Sequence, residues 1–368
     1  MSNFYTRVVT FVALLLVATF SAHSQINTPR GSQMATVSQT IGTSTVEIAY
    51  SRPSVNEREI WGNLVPYGLN NLGFGTSTAA PWRAGANENT TITFSHDMEV
   101  EGKAIKAGTY GLHLEVKEGN EATLILSNNS TSWGSFFYDP AEDALKANIT
   151  TKETHHTEML TFDFTEVTAT TAVAALKWGK KAFPFKIEVP VIDIVLADIR
   201  NSMRDQPGFN RQTWEQAANY AANNGGDLNE ALGWIDNAIA GQFFSQKTFA
   251  NLQIKANILT KMGKQVEAEK LMDDNLDIGS VFEVHQYGRL LIAAGNKAKA
   301  LEIFKYNAKK NKDTWPVNYG MARAYSAQGD YKTALKHLEK AHNNAPNQAS
   351  KGRVAANIEK LRNGEDIN

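Results

Sequence analysis

The chain has 368 residues, which at roughly 100–200 residues per domain is room for about two. Hydrophobic residues make up 42% and charged residues 20%, a globular balance that excludes wholesale disorder and a disulfide-stapled miniprotein. The net charge of −1 argues against a nucleic-acid binder, and the absence of cysteine removes disulfides, cysteine-ligated zinc, iron–sulfur clusters and thiol nucleophiles.

Residues 1–24 read as a secretory signal peptide. Arg7 supplies the positive start, and Val8–Phe20 is an apolar run of 13 residues, too short to span a bilayer comfortably. Ala22 and Ser24 put small residues at the positions a signal peptidase requires, with cleavage before Gln25. The alternative is an uncleaved anchor. The expected product is secreted, periplasmic or extracellular, with no membrane span after cleavage.

Residues 25–195 hold 22 Thr and 17 Ala, whereas 196–368 hold 5 Thr and 25 Ala. β-Branched Thr favours strands and Ala favours helices, so a β-rich part precedes a helical one. In the first part Val46, Ile48 and Tyr50 alternate, as do Tyr110, Leu112, Leu114 and Val116, and Phe183, Phe185, Ile187 and Val189. Residues 91–94, 122–126, 160–164 and 171–178 add short strands, and Ala141–Ala147 reads as a weak helix. Many short strands without intervening helices predict an antiparallel β-sandwich.

Three stretches of this part carry polar groups among aromatic, Pro and Gly residues. They are Tyr50–Val55 with Arg58–Gly62 and Leu64–Gly68, then Pro81–Glu88, then Ala107–Leu112. With Trp133-Gly134, Tyr138-Asp139 and Asp143, they resemble the signature of an uncharacterised secreted bacterial family, domain of unknown function 2911. The resemblance covers roughly residues 27–190 and carries no activity. His113 departs from it, standing where the family usually has Phe, and Leu69–Ala80 reads as an insertion before Trp82. The expected ligand contacts are Arg52, Trp82, Arg83, Asn87, Glu88 and Tyr110. An Arg fork suits a carboxylate or sugar hydroxyls, and a Trp suits a ring. The competing reading is an internal Arg83–Glu88 salt bridge that merely ties loops together.

Catalytic signatures are sparse. The sequence has no GxSxG, HExxH or P-loop motif. His156 and Glu158 would share one face of a strand, giving two converging metal ligands where a site needs more. His96 and His113 are candidates to pair across a hairpin. No metal and no cofactor are expected.

The helical part opens with a linking helix, Ile192–Met203 within residues 191–209, and then repeats. Met321, Ala322, Tyr325, Gly329-Asp330-Tyr331, Ala334, Leu338, Ala341 and Pro346 resemble a tetratricopeptide repeat. Matching offsets recur upstream, with small residues at Ala218, Ala256 and Gly288 and turn glycines at 226, 263 and 295. Four units over about 210–349 and a cap at Ala349–Leu361 predict an α-solenoid, so residues 210–368 form the repeat region behind a β-sandwich at 25–190.

The fold class read from the sequence is therefore α+β in two segregated parts. The expected role is a non-catalytic binding or scaffold protein of the bacterial cell envelope. A protein or peptide would lie on the repeats and a small ligand or glycan at the β-domain, with no nucleic acid. The alternative is a secreted hydrolase of glycans or peptides using Glu88 beside Arg83. A third reading makes the solenoid a structural brace.

Overall fold

The computed structural model describes residues 28–368, which divide into two compact units, one ending at Val191 and the other Ile192–Asn368. The expected signal peptide lies outside the described residues.

The first unit contains two antiparallel sheets. One has the order β1-β2-β3-β6-β7-β8, built from Gln33–Ile41, Ser44–Arg52, Thr91–Phe94, Gly108–Val116, Glu121–Ser127 and Asp143–Thr150. The other has the order β5-β4-β10-β9, built from Lys103–Ile105, Met98–Val100, Thr171–Glu188 and Lys152–Thr165. The sheets pack through their alternating apolar faces. Tyr50 of β2 meets Phe162 of β9 edge-on at 4.9 Å, and its hydroxyl accepts the Phe162 N–H at 3.0 Å. Val46, Ile48, Leu112, Leu124, Leu176 and Phe183 are fully buried, while Glu47 between its apolar neighbours is exposed.

Two local expectations are corrected. Ala141–Ala147 is not a helix: Pro140–Glu142 makes one 3-10 turn capped by Asp139, and β8 begins at Asp143. Leu145, Ala147 and Ile149 alternate inward and pair with β7, so burial at period two overrides the helix preference of Ala. The strands expected at 171–178 and near 183–189 are one strand, β10. Gly179-Lys180-Lys181, which has turn composition, instead forms a bulge against β9, with Gly179 at φ 58°.

The second unit is a run of helices. After α1 (Val191–Ser202) come the antiparallel pairs α2/α3 (Arg211–Asn223, Leu228–Ala240), α4/α5 (Phe249–Lys261, Gln265–Asp273), α6/α7 (Val281–Ala293, Lys297–Asn311) and α8/α9 (Trp315–Ala327, Tyr331–Asn343). Helix α10 (Gln348–Arg362) closes the array and buries Val354 and Leu361 beside Leu338 of α9. Asp227, Thr248, Ser280, Asn296, Asp330 and Asn347 cap helix N-termini with their side chains, and Thr248 and Ser280 complete capping boxes.

Gly263, Gly295 and Gly329 hold the left-handed turns expected of them, at φ 78°, 81° and 82°. In the first pair that role belongs to Gly225 at φ 85°, not to Gly226, because the chain carries two adjacent glycines there. Close approach of the helices is clearest at Phe304 of α7. An added Cβ would fall 2.6 Å from its ring at Gly288 of α6 and 2.4 Å from it at Gly320 of α8. The ring therefore fills a space that two glycines leave open.

Candidate functional site

The polar motifs of the β-unit converge because the chain leaves a strand lane and returns to it. Trp82 pairs with Leu114 of β6 through bonds of 2.8 and 2.9 Å, and Thr90 resumes the lane by accepting the Leu112 N–H at 2.7 Å. Arg83–Asn89 is the excursion between them. Ala84 and Asn87 sit at φ 50° and 61°, and Thr90 Oγ1 donates to the Ala84 carbonyl at 3.1 Å. Gly85 lies so close to β2 that an added Cβ would be 2.7 Å from Thr90 Oγ1 and 3.2 Å from the Ser51 carbonyl.

Arg83 folds back inside this loop and donates to the Asn87 carbonyl at 2.5 Å. Its guanidinium lies 5.1 Å from the Phe136 ring centroid and presses on Gly134. Burial pulls its pKa below the usual arginine value. Asn87 donates to the Ser32 carbonyl at 3.1 Å. Glu88 pairs with Arg30, so the competing reading of an Arg83–Glu88 bridge does not hold. The hydrogen bond from Arg30 holds the Glu88 carboxyl below its ordinary range, opposite to the shift that suits a general acid.

The remaining candidates separate. Trp82 stacks on Trp178 at 5.9 Å and 15°, and Trp61 stands edge-on to both. Arg52 points the other way and ties the sheets together, donating to the Leu160 carbonyl at 2.9 Å and to Thr161 Oγ1 at 2.7 Å. Tyr110 is buried against Phe94, and its hydroxyl donates to the Lys106 carbonyl at 3.0 Å. Burial raises its pKa.

Trp82, Arg83 and Asn87 line one cavity of about 570 Å³, whereas Arg52, Glu88 and Tyr110 do not. Its other walls come from Ser54, Arg58 and Leu64–Pro66 of the first motif, from Asn56 between its parts, and from Asn70, Leu72 and Ala80 of the insertion. The insertion is pinned rather than loose: Asn70 and Ala80 exchange bonds of 2.8 and 2.9 Å, and Phe74 packs edge-on against Phe136 at 5.6 Å. Arg58 lies within the first motif without standing out by chemistry, and Ser135 and Trp178 lie outside all three motifs. Trp178 reads as ordinary core; only the cross-sheet packing brings it to the cavity.

The two expected histidine pairings resolve differently. His113 bonds Ser135 at 3.1 Å and His96 bonds Ser44 at 3.1 Å, so the two histidines do not pair. His113 is on the face of β6 opposite Leu112, under the loop that carries Ser135 and Tyr138. Burial, reinforced by Arg83, lowers its pKa to about 4. His156 and Glu158 do meet, at 3.1 Å, and among the described residues no third ligand joins them.

A second concavity lies along the helical unit. Asn219, Ile254, Asn257, Tyr287 and Leu290 line a cavity of about 1030 Å³. Gln253 lines both it and an adjoining cavity of about 580 Å³, whose walls hold Phe282, His285, Arg289, Trp315, Tyr319, Arg323 and Arg353. Glu283 is the one carboxylate of this adjoining cavity, engaged by the backbone and hydroxyl of Ser280 at 2.9 and 2.7 Å, and the larger cavity carries Glu269, which accepts from Gln265 and Asn296 at 2.7 and 3.0 Å. Gln253 Nε2, Trp315 Nε1 and Arg323 Nε are buried donors without an acceptor. His285 gives its Nδ1 proton to the Pro316 carbonyl at 2.8 Å and stacks on Tyr319, and burial lowers its pKa to about 4. Helical repeats foretold a concave face, but which side chains line it depends on how each helix is rotated in its pair.

Comparison with known proteins follows the same division. Residues 32–187 match the family described as "Protein of unknown function (DUF2911)", and residues 289–356 match the tetratricopeptide repeat. Among solved structures, the C-terminal part of a TPR repeat-containing protein from Cytophaga hutchinsonii is 15% identical, covering 47% of this chain and 70% of that one, with TM-score 0.33. A thermophilic TPR protein of Thermus thermophilus is 17% identical, covering 46% and 91%, with TM-score 0.31. YrrB, described as a TPR protein with an unusual peptide-binding site, is 15% identical, covering 45% and 84%, with TM-score 0.29. No curated protein matches.

Proposed function

We propose that this chain, which joins a DUF2911 domain to tetratricopeptide repeats, is a binding scaffold whose helical groove takes an extended acidic peptide. The observation that carries the reading is the charge of the groove wall. Arg289, Arg323 and Arg353 stand beside Trp315 and Tyr319, and the one carboxylate among them is already engaged by a helix cap. Arg323 donates to the Ile367 carbonyl, Asn368 Oδ1 and Tyr319 Oη, and Arg289 to Gln286 Oε1, all neutral, so aspartate or glutamate side chains, or a terminal carboxylate, would supply the anionic partner these arginines lack. The neighbouring cavity adds Tyr287 and the exposed Leu290 for apolar side chains of the same segment. Repeat stacking supports the reading, because a concave face shared by several helix pairs suits an extended partner.

The test is anisotropy of two labelled peptides on the full chain, one alternating Glu and Leu, the other Lys and Leu. The acidic peptide should bind with an affinity that falls as salt rises. Arg289→Glu with Arg353→Glu should weaken it at least tenfold. Equal binding of both peptides, or no effect of charge reversal, would refute the reading.

We also propose that the protein works outside the cytoplasm, in the cell envelope or beyond it, on the strength of the Arg7–Ser24 pattern. Sequencing the N-terminus of protein recovered from the native cell envelope or medium should give Gln25. An intact Met1 would contradict export by cleavage.

A further inference from the structure

The loop cavity of the β-unit carries an unbalanced charge. Arg58 and Arg83 line it, and no Asp or Glu does. Arg58 donates to the Val55 carbonyl at 3.0 Å and to the Ser54 carbonyl at 2.5 Å. Arg83 donates to the Asn87 carbonyl. All three acceptors are neutral. Glu88, the acid nearest Arg83 in sequence, is taken by Arg30. Arg83 is partly withdrawn from water and Arg58 is exposed, and neither is matched by a carboxylate among the residues that line the cavity.

The same cavity has a flat aromatic wall. Trp82, half-buried, presents its ring there, and Trp178 stacks on it at 15°. Trp178 is only 2% exposed, and its Nε1 donor has no acceptor. The walls are set by backbone bonds rather than by mobile side chains, since the excursion at Arg83–Asn89 and the insertion are both tied at their ends. A volume of about 570 Å³ lies within the range of about 300–1000 Å³ usual for small-molecule sites.

We propose that this cavity binds a small planar carboxylate, an acid group carried on an aromatic or conjugated ring. Arg58 and Arg83 hold the carboxylate. The ring lies against Trp82, which Trp178 backs. Asn56, Asn87 and Ser135 meet the polar edge of the ligand. Two guanidiniums without a carboxylate favour an anion over a neutral sugar in the same space. The site lies in a different unit from the peptide groove, so either assignment stands if the other falls.

The test is titration of the full chain with benzoate, followed by tryptophan fluorescence and by saturation-transfer NMR. Benzamide has the ring without the charge; acetate and inorganic phosphate have the charge without the ring. Benzoate should saturate, and the other three should bind at least tenfold more weakly. Arg58→Met should lose at least tenfold in benzoate affinity, and Arg58→Lys, which keeps the charge, should lose less. Arg204→Met, an exposed arginine of the helical unit, should change nothing. Near-ultraviolet circular dichroism confirms that each variant is folded, and the comparison of probes on the unmodified chain needs no variant. Equal binding of benzamide, equal or tighter binding of phosphate, or no saturable benzoate binding would each overturn the proposal.

Discussion

Replacing Gly320 with alanine sets two known effects against each other. In a helix interior, alanine is favoured over glycine by about 1 kcal/mol. At Gly320 the new methyl would lie 2.4 Å from Phe304 Cδ1, 2.5 Å from Cε1 and 3.0 Å from His285 Nδ1. Phe304 is 1% exposed and is held from its other side at Gly288, so it has nowhere to turn. Overpacking of this kind costs about 1–3 kcal/mol, which leaves a net destabilisation of roughly 0–2 kcal/mol after the helix gain. Gly352 of α10 is the control, because an added Cβ there meets nothing within 4 Å. Gly352→Ala should stabilise by up to about 1 kcal/mol. The assay is urea unfolding followed by far-ultraviolet circular dichroism. The midpoint should move down for Gly320→Ala and up for Gly352→Ala. Equal stabilisation by both would refute the packing argument.

Three further outcomes are expected. His113 titrates near 6.5 when unfolded and near 4 in the fold, so the stability it contributes is complete above 6.5 and is lost as pH falls toward 4. At about 1.4 kcal/mol per pH unit the loss over that window is about 3 kcal/mol, and His113→Phe should flatten it when urea midpoints near pH 7 and pH 5 are compared; an unchanged slope would place the dependence elsewhere. Arg52→Met should destabilise the β-unit by about 1–3 kcal/mol through two lost bonds to β9, with benzoate binding unaltered, as read by thermal unfolding and titration. Gly134→Ala should weaken benzoate, because Gly134 sits at φ 70° and an added Cβ would fall 2.3 Å from Arg83 Cζ; unchanged affinity would remove Arg83 from the site.

The architecture was legible because its signals are periodic. Alternation at Val46–Tyr50 and the recurring small-residue and glycine positions of the helix pairs each specify an element and its buried face. Where reading failed, a local preference met a tertiary one: Ala144 and Ala147 suggested helix, but pairing with β7 made a strand. The cavity was half legible. Trp82, Arg83 and Asn87 were chosen for their chemistry and share a wall, while Arg52, with the same chemistry two residues after Tyr50, braces the two sheets. Trp178 and Ser135 lie far away in sequence and carry no motif, so only the folded chain brings them in. The Arg30 partner of Glu88 was not legible, because Arg30 lies outside the motif that contains Arg83.

The central claim, that the helical groove receives an acidic peptide, is tested most directly at the Trp315 indole. Its Nε1 proton is buried without an acceptor, and the ring lies 5.7 Å from Tyr319 beside Arg323. Nitrogen–proton correlation spectra of the full chain resolve seven indole signals in principle, and Trp315→Phe assigns this one. Titration with the Glu–Leu peptide should shift the Trp315 signal saturably, as the segment settles on the indole ring and its arginine neighbours, while the Lys–Leu peptide leaves it in place. A Trp315 signal that stays fixed while the acidic peptide binds elsewhere on the chain would contradict the account.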